Sequence, residues 1–107
     1  MKLTSTETDL VGNWMFQTGR MVRDPVEDRI EQLIHGHLHR IAVSPIVGAW
    51  EALYLDPSDG RLWELTYPQS HMHGGGPRRL AVIGLEAACE KYGQTVKDSR
   101  NATRTDR

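Results

Sequence analysis

Apolar residues fall into a few periodic runs along the chain, and each run predicts one element. Val26, Ile30, Leu33 and Ile34 recur at i, i+4, i+7 and i+8, the stripe of an amphipathic helix, which assigns Glu27, Asp28, Glu31 and Gln32 to solvent. Asp24 supplies a cap, Pro25 suits the first helical position, and Glu27 follows three residues after the cap. Gly36 marks the stop. Elsewhere the period shortens. Val11 to Phe16 reads as a strand, turning at Thr18-Gly19 so that Met21 and Val22 return beside it. Leu38 to Val43, Trp50 to Leu55, Arg61 to Tyr67 and Leu80 to Ile83 read as further strands. Leu85, Ala88, Cys89 and Tyr92 return to helical spacing, giving a closing helix from near Gly84 to Gly93.

Trp50–Leu55 and Arg61–Tyr67 flank DPSDG, where Pro57 presets a turn and Gly60 can adopt positive φ, so this pair is a β-hairpin. The full order is β(β)αββββα. Its short connections favour antiparallel neighbours, which makes an α+β domain: a single antiparallel sheet with two helices packed on a face. The folded unit is expected over 9–93, with a flexible N-terminus at 1–8 and a disordered tail at 94–107, neither of which has a periodic apolar face.

Composition narrows the function classes. The chain has 107 residues, the size of one domain, 38% of them hydrophobic and 25% charged. A net charge of -1 lacks the basic balance of a nucleic-acid binder. Residues 1–93 carry 12 acids against 9 bases, and 94–107 carry 2 against 4, so the tail is compositionally separate. Cys89 is the single cysteine, which excludes an intramolecular disulfide and suits a reducing compartment. No apolar run approaches the ~20 residues of a membrane span. The expectation is a cytoplasmic protein without nucleic-acid or membrane partners, with a monomer favoured.

Candidate chemistry clusters around the hairpin and the segment after it. His35, His37 and His39, with His71 and His73, invite a metal. However, the first three cross the predicted helix stop, and no CxxC or HExxH accompanies them, so solvent-facing histidines at element ends are the simpler reading. Asp56 and Asp59 flank Pro57 as turn residues whose side chains satisfy backbone amides. Glu64 shares a strand face with Leu62 and Thr66, opposite Trp63 and Leu65. Ser70 near these histidines lacks the GxSxG elbow. Gly74-Gly75-Gly76-Pro77 with Arg78 and Arg79 has amides for a phosphate but does not lead into a P-loop helix. Cys89 is a small core residue. No cofactor is implied, and no catalytic set assembles.

The segments TETDLVGNW, DPVEDRIEQLI, GAWEALYLDPSDGRLWELTYPQSHMHGGGPRRL and EAACEKYG together resemble the immunity protein 27 family of bacterial polymorphic toxin systems, over about residues 6–93. The most characteristic part is carried by Asp56, Pro57, Asp59, Gly60, Arg61, Trp63, Glu64, Leu65, Thr66, Tyr67, Pro68, Ser70, His73, Gly74, Gly75, Gly76 and Pro77. The resemblance implies a non-catalytic protein that binds and neutralises a cognate toxin domain. Glu64, Tyr67, His73 and Arg78 are the candidate toxin anchors, although the shared motif also reads as scaffold. The competing reading is a small enzyme or ligand-binding module in the cleft between the Gly74–Gly76 loop and the Trp50–Tyr67 hairpin, with Glu64 and His73 as acid and base.

Overall fold

The computed structural model describes residues 3–4, 6–12, 14–17, 20–23, 25–44, 51–67 and 78–99. Among these residues the main elements follow in order: β1 (Asp9–Val11), β2 (Trp14–Gln17), β3 (Arg20–Arg23), α1 (Pro25–Gly36), β4 (His39–Val43), β5 (Ala52–Leu55), β6 (Leu62–Thr66), β7 (Arg79–Ile83) and α2 (Leu85–Tyr92). The fold is α+β, and its main sheet has five antiparallel strands in the order β1-β7-β6-β5-β4. Both helices lie within a residue or two of their expected spans. The first expected strand divides in two. β1 joins the edge of the main sheet, whereas β2 and β3 form a separate two-stranded hairpin, and the Gly12 amide carries the β1 pairing one residue further by bonding the Arg78 carbonyl.

The alternation of side chains through the sheet sorts the core into two layers. Leu10, Leu80, Leu65 and Ala52 lie side by side across four strands and, with Trp63 and Tyr54, pack under Ile30 and Leu33 of α1. On the opposite face Leu53, Leu55 and Leu62 pack under Ala88 and Cys89 of α2. The expectation of helices on one face is therefore corrected, since α1 and α2 cover opposite faces. β5 is buried at all four positions for that reason. A bulge between Arg40 and Ala42 inserts Ile41 into β4, so that both Ile41 and Ala42 turn toward the α2 layer.

The packed unit extends past the expected limits of 9 and 93. Leu3 is buried in the α1 layer. Residues 95–99 form a further helical turn, and Val96, only 1% exposed, closes the α2 layer. A fully buried side chain of this kind stabilises by roughly 1.5 kcal/mol or more. Both residues stand alone in polar surroundings, so no periodicity announces them. Asp24, the expected cap, lies outside the described residues, as do 100–107.

Candidate functional site

The DPSDG turn is built by its own polar side chains. The Asp56 amide donates to the Arg61 carbonyl at 2.9 Å and the Gly60 amide to the Asp56 carbonyl at 2.8 Å. Gly60 has φ of 81°, where a β-carbon would clash with the backbone. Asp56 is fully buried. Its Oδ1 accepts the Ser58 amide at 2.9 Å and the Ser58 hydroxyl at 2.6 Å, and lies 3.0 Å from Nε2 of His37. Burial pushes the Asp56 carboxyl up, but the Ser58 bonds and the His37 imidazole outweigh it and hold the group below its ordinary value. His37, expected in solvent, is thus turned inward, its side chain 13% exposed. Ser58 and His37 each meet Asp56, which is the wrong order for a Ser-His-Asp relay.

Asp59 accepts the Arg61 amide at 3.0 Å and the Arg61 Nε at 2.6 Å. The guanidinium so positioned stands 5.0 Å over the Trp63 ring and donates to the carbonyls of Glu7 at 2.6 Å and Thr4 at 2.9 Å. Arg61 therefore ties the N-terminal segment to the hairpin. The same segment is held to α1 where the Arg29 guanidinium grips the Glu7 carboxylate through both nitrogens. That grip, with the Thr4 amide, lowers the Glu7 carboxyl from 4.5 to about 2.

One residue beyond Trp63, Glu64 faces α2. Its carboxylate receives Nζ of Lys91 at 2.5 Å and the Tyr92 hydroxyl at 2.8 Å, and Lys91 also reaches Glu51 at 2.8 Å. Burial, with the bond to Glu64, pushes the Tyr92 phenol well above its ordinary value. A carboxylate in such a clamp joins β6 to α2 and is occupied by structural partners.

On the other face, Arg78 is clamped as firmly. Its Nε donates to Glu27 at 2.6 Å, its terminal nitrogen to Glu31 at 2.5 Å, and its backbone amide to Glu27 at 3.1 Å. Glu27 is only 3% exposed, which corrects its expected place in solvent. The wheel contained the signal, because Glu27 stands three residues before Ile30 and seven before Ile34, within the apolar stripe. Gly12 fits against this clamp: its amide donates to the Arg78 carbonyl at 2.8 Å, and an added β-carbon would sit 2.1 Å from Glu27 Oε2. Arg78 is thereby fixed to α1 at the start of β7.

Among the four candidate anchors, Glu64 and Arg78 are occupied by ion pairs within the fold, Tyr67 is half-buried at the end of β6, and His73 lies outside the described residues. Pro68, Ser70, His71, Gly74, Gly75, Gly76, Pro77 and Trp50 also lie outside them, and with them the cleft of the enzyme reading. The structure places Trp63 at the centre of the α1 layer, fully buried, with an indole nitrogen that has no partner among the described residues. His35 and His39 are exposed, and among the described residues no three histidine, cysteine or acidic side chains converge as metal ligands. Nor is any described helix long and apolar enough to cross a membrane.

The described part of the motif thus acts chiefly as joinery. Asp56 and Asp59 shape the turn, Arg61 and Glu64 fasten it to the N-terminal segment and α2, and Trp63 and Leu65 fill the core. No curated protein and no solved structure matches the chain. The sequence profile of Immunity protein 27 matches residues 16–84, which include the hairpin with both of its strands. Since that match spans more than half of the sequence, the chain belongs to the immunity protein 27 family.

Proposed function

We propose that this chain is an immunity protein that binds a cognate bacterial toxin domain stoichiometrically and neutralises it without catalysis, in the cytoplasm of the cell that carries both. The observation that carries this reading is the family match over residues 16–84. The geometry supports it in a second way. The acids and histidines that looked like candidate chemistry, Asp56, Glu64 and His37, are engaged in tying elements together, as a rigid, preformed binding scaffold requires. A preformed surface loses little conformational freedom on association, which favours tight binding of the toxin. Tyr67, as an aromatic at a strand end, and His73 retain the role of candidate anchors.

Co-expression with the toxin domain encoded beside this chain tests the reading. Growth rescue and a one-to-one complex that survives size exclusion at micromolar concentration are expected. Failure of both would sink it.

A further inference from the structure

Two open cavities meet at Leu85. One, of about 190 Å³, lies beside the hairpin turn over Leu62, Val82 and Ile83. The other, of about 370 Å³, runs along α2, with Leu85 and Cys89 providing its apolar lining. Leu85 lines both, and the second is an open trough along α2. The charges around the two cavities are unequal. Beside the first cavity Asp59 and Arg61 pair at 2.6 Å. Along α2, Glu86 and Glu90 both line the cavity and are both exposed. They stand one helical turn apart on the same side of the helix, where like charges repel. The acids of the neighbouring clamps are paired: Glu51 and Glu64 with Lys91, Asp59 with Arg61. Among the described residues Glu86 and Glu90 have no ion pair, and Lys97 is the one described cation that lines their cavity. Among the described residues two acids thus face one cation there.

We propose that this trough is the surface that receives the toxin, and that its occupant is a toxin segment bearing an aliphatic side chain next to a lysine or arginine. This assignment rests on the immunity reading above. The aliphatic group seats over Leu85 and Cys89, removing apolar surface from water. The cation, on a long aliphatic stem that can lie along the same floor, reaches Glu86 and Glu90 and relieves their repulsion. Charges at such a rim act mainly on the rate of encounter, whereas the apolar seat governs how long the complex lasts.

The test measures binding kinetics of the full chain with the toxin domain encoded beside it, at low and moderate salt. The variants are Glu86→Lys with Glu90→Lys, Glu86→Gln with Glu90→Gln as a milder pair, and Asp28→Lys on the exposed face of α1 as a charge control. The lysine pair should associate about tenfold more slowly than the parent at low salt, and the glutamine pair about threefold more slowly. Both differences should shrink as salt rises. Asp28→Lys should stay within about twofold of the parent. All the positions are exposed, so thermal melts should match the parent, and the glutamine pair preserves the test should the lysine pair melt early. Parent-like association by the glutamine pair and a folded lysine pair overturns the assignment, as does equal slowing by Asp28→Lys. If the parent chain itself binds no toxin, the immunity reading falls, and the trough assignment falls with it.

Discussion

Replacing Glu27 by alanine should be among the most damaging single changes on the α1 face. The carboxylate accepts both the Nε and the backbone amide of Arg78, at 2.6 and 3.1 Å, and the two side chains are only 5% and 12% exposed. Removing one member of a buried pair leaves the other charged and poorly solvated, at a cost of about 3–5 kcal/mol. Arg78 would keep Glu31 at 2.5 Å, and Glu31 is 37% exposed, which sets the expected loss near the lower end, about 3 kcal/mol. Urea denaturation measures it. With a slope of about 1.5 kcal/mol/M for a domain of this size, the midpoint should fall by about 2 M. Arg78→Met should rescue part of the loss in the double variant, because the orphaned charge is then gone. A loss under about 1 kcal/mol for Glu27→Ala, or strict additivity of the two substitutions, would refute the clamp as a stabilising device.

Gly12→Ala should destabilise by at least about 2 kcal/mol in the same assay, because the new β-carbon would lie 2.1 Å from Glu27 Oε2 and 2.8 Å from the Arg78 carbonyl, and that carbonyl belongs to the backbone. Acid should weaken the fold through Glu7 and Asp56. Both carboxyls titrate lower in the folded state, so their contributions are present above the ordinary carboxylate range and are lost as pH falls, for Glu7 between 4.5 and about 2. Glu7 is partly solvated, so its share is about 1 kcal/mol, and Glu7→Gln should flatten the stability profile measured by urea melts from pH 5 to pH 2.5.

Much of the architecture was readable because local patterns and global packing agree. The α1 stripe at 26, 30, 33 and 34, the DPSDG hairpin and the Leu85–Tyr92 helix each carry a period that only one element satisfies. Turn chemistry was equally local: Asp59 bonding the Arg61 amide and Gly60 at positive φ follow from residues within a five-residue window. The polar partners were not readable. Glu27 and Arg78 are 51 positions apart, Arg61 and Thr4 are 57 apart, and Glu64 and Tyr92 are 28 apart, so no spacing rule connects them. Glu64 and Arg78 looked like surface anchors because charged residues usually face solvent, yet here each is held by opposite charges from another element.

The sequence by itself determined the α+β class, the element order around the hairpin and, through its motif, the family. Those properties depend on period, turn residues and residue identity, all of which are local or additive along the chain. Only the tertiary structure decided that the helices cover opposite faces and that β1 parts from β2. It likewise decided that Leu3 and Val96 belong to the core, and that Glu86 and Glu90 border an open trough while Glu27 is sealed beneath Gly12. Whether a carboxylate is a clamp or a contact depends on which distant cation folds against it, and that is settled only when the two faces of the sheet are packed.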